Sequence, residues 1–265
     1  MRILITNDDG VYAPGIMALA NEFAKEHDVT VVAPDRERSS CGRSMTMDRP
    51  LTIRKMNIEG YSNCAVYATS GTPTDCVKLG TYEIMHRKTD LVLSGINIGA
   101  NMGTDIAYSG TVNAAMEACM LGYPAVAFSQ QMLGATMPQR EVLFDASAKR
   151  SAQLIGQLGT EHLREYIYNI NFPACVNDKV AGIKICPQGI SNYGDDYEKR
   201  TDPFGRTYYW PCGRLTECDY NKENATDIYW LMQGFITVTP LTWNVTASQE
   251  MDDTKCRIEK LKLHF

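Results

Sequence analysis

The sequence has 265 residues and a formal net charge of −5, from 26 Lys and Arg against 31 Asp and Glu. That length holds one large domain or two small ones, and 44% hydrophobic with 22% charged residues excludes general disorder. The acidic balance argues against a protein whose main task is gripping a nucleic-acid backbone, although a bound metal ion can reverse the local field for a small anionic ligand.

In chain order, strand and helix signals alternate. Residues 2–6 form a short β-rich run. Residues 14–26 open on Pro14, suited to a first helical turn, and carry Ile16, Leu19, Ala20 and Phe23 at helical spacing. Residues 29–33 read as a strand stopped by Pro34, followed by a polar loop to about residue 47 and weaker strands near 51–55 and 64–69. A helix is predicted from Pro73 to about Met85, and a buried strand over 90–94. Val112, Ala115, Met116, Cys119 and Met120 predict a helix over 109–121 with one apolar stripe, closed by Gly122. A strand over 125–129, a helix over about 141–158 with Phe144, Ala148, Ala152 and Ile155 in register, and a strand over 166–171 follow. Near-continuous apolar strands between helices predict an α/β fold with a mostly parallel sheet covered on both faces. After about residue 187, Gly, Asp, Asn and Pro become frequent. Aromatic runs at 208–210, 228–230 and 235–238 read as strands of an antiparallel, hairpin-rich extension.

Nine cysteines without a C-x-x-C pair read as buried, reduced packing thiols, not as a disulfide or zinc framework. The four histidines have no helical ligand spacing, which argues against a His-built metal site. No run approaches the ~18 apolar residues of a membrane span, and no secretory signal pattern opens the chain, so a cytoplasmic location is expected.

Open α/β sheets bind ligands beyond the carboxyl ends of their strands, so the polar residues there are the candidates. The first strand ends in Asn7-Asp8-Asp9-Gly10. This is a turn sequence, yet two adjacent carboxylates repel unless a cation neutralises them, and Mg²⁺ and Mn²⁺ take oxygen ligands of this kind. The second strand leads into Asp35-Arg36-Glu37-Arg38-Ser39-Ser40, which alone reads as a solvated loop and otherwise offers a hydroxyl and guanidinium groups to a phosphate site. Beyond residue 94, Gly95, Gly99 and Gly103 alternate with Asn97 and Asn101. This matches neither a dinucleotide fingerprint nor a Walker A loop; it offers close backbone approach and neutral amide ligands. Ser109-Gly110-Thr111 reads equally as a helix cap and as a phosphate-binding helix N-terminus. Thr72-Pro73 reads mainly as a cap.

Together these segments resemble the SurE (survival protein E) family of metal-dependent nucleotidases. The matching strings are residues 3–11, 13–16, 31–39, 71–77 and 94–117, with further pieces at 200–206, 208–210, 226–227 and 234–241. The longest runs from Ser94-Gly95-Ile96-Asn97 to Asn113-Ala114-Ala115-Met116-Glu117, and the resemblance covers nearly the whole chain. It implies a single Rossmann-like α/β domain over 1–265, with 187–233 as a hairpin-rich oligomerisation extension. It implies one divalent metal ion, Mg²⁺ or Mn²⁺, held by Asp8, Asp9, Ser39 and Asn97, and a phosphate pocket from Asn101, Ser109, Gly110 and Thr111. The implied activity is hydrolysis of nucleoside monophosphates at the 5′ or 3′ position, extending to short polyphosphate. A homodimer or homotetramer through the C-terminal hairpin is expected, with no stable nucleic-acid partner and no membrane. Asp8 is the candidate to orient or deprotonate the attacking water; direct attack by Ser109 is the rival.

One departure stands out. The family usually has glycine directly after the metal-ligand serine, where this chain has Ser40, which bears on substrate preference and rate more than on metal binding. Two other readings stay open. One is a haloacid-dehalogenase-like aspartyl phosphatase, whose paired aspartates are separated by one residue where Asp8 and Asp9 are adjacent. The other is a non-catalytic metal and nucleotide sensor, with Ser40 blocking turnover.

Overall fold

Strand β1 (Arg2–Thr6) alternates its side chains between two cores. Ile3 and Ile5 enter one and Leu4 the other, all fully buried. A strand buried on both faces needs a covering layer on each side, and the chain supplies both. The computed structural model describes residues 1–132, 136–175, 179–193, 196–212, 215–218 and 222–259. In it β1 pairs in parallel with β2 (Asp28–Pro34) on one side. Beyond β2 lie β4 (Cys64–Thr69), parallel, and β3 (Ile53–Met56), antiparallel to β4. On its other side β1 pairs in parallel with β5 (Leu91–Ile98), followed by β6 (Ala125–Gln130) and β7 (Ile167–Phe172), both parallel. The strand order therefore reverses direction between β1 and β5, which opens a crevice at their carboxyl ends.

Helices α1 (Pro14–Phe23) and α4 (Met137–Leu158) cover the face of Ile3 and Ile5. Phe144, Ala148 and Ile155 of α4 are buried there, in the expected register. This helix starts a turn earlier than the periodicity suggests, because Gln139 Oε1 accepts the Thr136 N–H at 2.8 Å in a capping box. The opposite face carries α2 (Pro73–Leu79), which runs on into a π-helical turn over Gly80–Ile84, and α3 (Gly110–Met120). The single apolar stripe predicted for α3 is too narrow. Every residue from Gly110 to Cys119 is buried and Met120 is exposed, since α3 is wedged between the sheet and α2.

The C-terminal third begins with β8 (Ile183–Ile185), β9 (Ser191–Tyr193), β10 (Tyr197–Thr201), β11 (Thr207–Pro211) and β12 (Leu215–Cys218). Strands β10 and β11 form an antiparallel hairpin apart from the main sheet, and β9 pairs with β12. Residues 228–230 are not a strand. They lie in α5 (Asp227–Met232), because Thr226 caps the helix and Asp227 favours its positive end, overriding the strand propensity of Ile, Tyr and Trp. The chain then returns as β13 (Ile236–Leu241), antiparallel to β7 and parallel to β8, completing nine strands, and ends in α6 (Met251–Glu259). Among the described residues no helix is long and apolar enough to cross a membrane.

The thiols divide by location. Cys76, Cys119 and Cys186 are buried and Cys41, Cys64 and Cys175 half-buried, whereas Cys212 and Cys256 are exposed. The expectation of packing thiols fails for the last two, because the β11 end and α6 have no core to enter. Cys218 lies outside the described side chains.

Candidate active site at the strand-order reversal

A cavity of about 660 Å³ opens at the carboxyl ends of β1 and β5. Asp8, Asp9, Ser39, Asn97, Asn101 and Ser109 all line it, brought together from the segments that follow β1, β2 and β5. Gly110 and Thr111 are buried behind Asp8.

The turn after β1 is built by Asn7, which accepts from Gly10 N–H at 3.2 Å and donates to Gly10 O at 3.0 Å. This aims Asp8 inward, where it is only 5% exposed. Its carboxylate accepts the Thr111 hydroxyl at Oδ1 and the Thr111 N–H at Oδ2, 3.2 Å away, with the Gly110 amide close enough to favour its charge. The first amides of α3 are thus turned to Asp8, where the helix dipole favours a negative charge. Gly110 is required here: a Cβ would stand 2.7 Å from Asp8 Cβ and 3.0 Å from Cys41 Sγ. Burial nevertheless raises the Asp8 pKa, with the Thr111 and Gly110 donors opposing.

Asp9 accepts the Ile98 N–H at 2.9 Å, tying β1's turn to the end of β5. Burial, and then the charge of Asp8, pushes its pKa up to about 7. Asn97 gives its amide hydrogens to Gly99 O at 2.9 Å and Ile98 O at 3.3 Å, while its Oδ1 faces the Thr111 hydroxyl at 3.4 Å. Ser39 is exposed and donates its hydroxyl to Glu37. Its loop is held to β1 by the Arg38 N–H, 2.7 Å from Asp8 O. Ser40 adopts φ 57, a left-handed conformation that a serine holds at a cost of about 1–2 kcal/mol.

Deeper in, Asn101 is framed by β6 and β7. Its N–H donates to Asn171 Oδ1 at 2.8 Å and its carbonyl accepts from Asn169 and Asn171 at 2.8 and 3.0 Å. Its side-chain amide donates to Ser129 Oγ at 2.8 Å. Ser109 caps α3, accepting the Val112 N–H at 3.1 Å, which leaves its own hydroxyl hydrogen to give.

The donor set fits a hard divalent cation. Among the described residues no three His, Cys, Asp or Glu side chains gather as a metal site. A cation here would draw on two carboxylates together with amide and hydroxyl oxygens, and burial with the charge of Asp8 disfavours a bare carboxylate at Asp9. Five further residues line the cavity that the sequence reading did not single out: Glu37, Ile98, Ala100, Asp105 and Tyr108. Glu37 lies inside a loop already under suspicion, and Tyr108 immediately precedes Ser109.

Comparison with known proteins places this geometry in context. Residues 3–195 match the family model described as survival protein SurE. A protein named 5′-nucleotidase SurE from Trichormus variabilis is 41% identical over 263 residues, covering 95% of this chain and 96% of its own. One of the same name from Natranaerobius thermophilus is 38% identical over 253 residues, covering 93% and 94%. The crystal structure of the SurE protein from Aquifex aeolicus superimposes with a TM-score of 0.80 at 36% identity, covering 97% of this chain and all of that one.

Proposed function

The chain belongs to the survival protein SurE family, and on that premise we propose that the cavity at the ends of β1 and β5 is the active site of a metal-dependent nucleotidase. The protein is a 5′-nucleotidase, a phosphoric monoester hydrolase acting on nucleoside monophosphates. The observation that carries the site assignment is the convergence of Asp8, Asp9, Asn97, Asn101 and Ser109 on one cavity.

Asp8, Asp9, Ser39 and Asn97 would hold one Mg²⁺ or Mn²⁺ ion, with the Ser39 oxygen free to ligate because only its hydrogen is given to Glu37. Such an ion supplies Lewis acidity toward a phosphoryl oxygen. The protein side of the work follows from the hydrogen bonds. Ser109 has a hydroxyl hydrogen, and Asn101 a second amide hydrogen, to donate to phosphoryl oxygens, the main electrostatic task in this reaction. Thr111 and Gly110 act on Asp8 rather than on phosphate: they fix the carboxylate that orients or deprotonates the attacking water. Capping of α3 occupies one Ser109 lone pair, which favours phosphate contact over nucleophilic attack for that residue.

The reading extends to short polyphosphate, which presents the same terminal group, and to 3′ as well as 5′ esters. It includes a cytoplasmic location and a single domain over 1–265. Residues 187–233 serve in it as the extension that joins subunits into a homodimer or homotetramer, supported by the exposed aromatic hairpin β10–β11. A phosphate-release screen over mononucleotides and polyphosphate tests it. Release with Mg²⁺ or Mn²⁺ that is lost in excess EDTA and in Asp8→Asn is expected; full release in EDTA sinks the proposal. A trapped phosphoserine at Ser109 would replace the water mechanism with direct attack.

A further inference from the structure

The segment from Asn101 to Ser109 joins two proposed phosphate contacts, and its middle is only a short turn of 3₁₀ helix, Gly103–Ala107. Its fastening comes from far along the chain. Asp227, at the start of α5, is fully buried at 0% exposure. Its Oδ2 accepts the Gly103 N–H at 3.0 Å, while its Oδ1 accepts the N–H groups of Gly189 and Ile228, each at 2.8 Å. Beside it Thr104 and Ser191 exchange bonds: the Thr104 N–H donates to Ser191 Oγ at 3.1 Å and the Ser191 N–H to Thr104 Oγ1 at 3.0 Å. Gln188 Nε2 adds a bond to Gly103 O at 2.8 Å. Gly103 has φ +55, and a Cβ there would stand 2.7 Å from Ile228 Cδ1, so the joint closes on bare backbone.

We propose that Asp227 is a positioning residue for the hydrolysis. Acting from behind the 101–109 loop, it sets the placement of Asn101 and Ser109 through Gly103. This rests on the phosphate roles given to those two residues above. Three backbone N–H groups from three separate segments meet on one carboxylate, and two of those segments flank the hairpin-bearing extension. The loop's geometry is therefore tied to the extension, and Asp227 is the knot. Asp227 bonds none of the metal ligands, which are held by other bonds: Asp9 by the Ile98 N–H, Asn97 by Gly99 O and Asp8 by Thr111.

Asp227→Asn discriminates among the three bonds. Its remaining oxygen can still serve Gly189 and Ile228, while its amide nitrogen meets the Gly103 N–H donor to donor. Phosphate release from AMP should lose about tenfold or more in kcat, since misplacing a contacting group by ~1 Å costs up to ~10²-fold. Mn²⁺ affinity should stay within about twofold, because the four ligand residues are untouched. Amide hydrogen exchange should rise over residues 101–109 and not over 3–9. Ser191→Ala, which removes the acceptor for Thr104, should move the same readouts in the same direction if Asp227→Asn does not fold. A kcat within about twofold of wild type, an unchanged exchange rate over 101–109, or equal losses of kcat and Mn²⁺ affinity would each overturn the proposal. Absence of phosphate release in the wild type would instead remove the nucleotidase reading, with the exchange experiment still deciding the fastening.

Discussion

At the ends of β1 and β5, Asp8, Asn101 and Ser109 are polar side chains buried almost completely; on the hairpin of β10 and β11, Tyr197, Tyr208, Tyr209 and Trp210 are aromatic side chains left exposed. Each region departs from the usual sorting of residues, in opposite directions. Burying polar groups is costly unless each finds a partner, and in the first region the partners are present: Thr111 for Asp8, two asparagines and a serine around Asn101, and Val112 for Ser109. Asp8 and Asp9 stand side by side as carboxyl groups, and a divalent cation is the countercharge proposed for them. Exposing aromatic groups is costly unless something covers them, and a second copy of the chain is the cover proposed for the second region. In the proposed function the first region is complete within one subunit apart from a cation and a substrate, and the second is where another subunit docks.

The largest effect expected from this contrast is at Thr111. Thr111→Val keeps the shape but removes the hydroxyl that reaches both Asp8 and Asn97, and kcat should fall about 10–100-fold, as for other groups that orient a ligand from behind. Steady-state phosphate release measures it, and an unchanged kcat would break the claim that Asp8 works through its fixed orientation.

On the hairpin, Trp210→Ala should weaken self-association by about 2 kcal/mol, roughly thirtyfold in the dissociation constant, as a buried interface tryptophan would. Sedimentation velocity reads it. A variant that assembles like the wild type would move the proposed interface away from the hairpin.

A pH effect of a raised carboxyl group should appear in the first region. Asp9 titrates at about 7 when folded, against an ordinary value of 3.8. The folded protein therefore binds the extra proton between those values, and metal-free stability falls as pH rises through that window. In EDTA, wild type should lose thermal stability relative to Asp9→Asn from pH 4 to about 7, and added Mn²⁺ should restore more of it at the upper end. Parallel melting curves for the two proteins across that range would contradict this.

The smallest effect concerns Ser40. Its left-handed backbone suits glycine, so Ser40→Gly should raise stability by up to about 1 kcal/mol in chemical denaturation. Since Ser40 also lines the cavity, the same variant reports whether its side chain limits substrate access.

The loops that line the cavity were legible in the sequence because strand-end position, residue type and spacing all survive without the fold. Asn97 and Asn101 stood out on those grounds alone, whereas Asp8 and Asp9 read first as a turn and stood out through the family resemblance. The division of labour among them was not legible. That Thr111 serves Asp8 depends on a contact between residues 103 positions apart, and that Asp227 serves Gly103 on one 124 apart. The misreading of 228–230 has a different origin: three residues that favour strands follow a Thr-Asp pair that starts a helix, and the cap prevailed. The stripe on α3 failed because Ala114 and Ala118, small enough to pack anywhere, are buried on the side where periodicity expects solvent.

The central claim is that Asp8 and Asp9 share one divalent cation, and calorimetric titration of Mn²⁺ into the wild type and into Asp8→Asn and Asp9→Asn tests it most directly. The account predicts one site per chain in the wild type, with affinity reduced at least about tenfold in each variant. Mn²⁺ binding that is equally tight in all three proteins would contradict it.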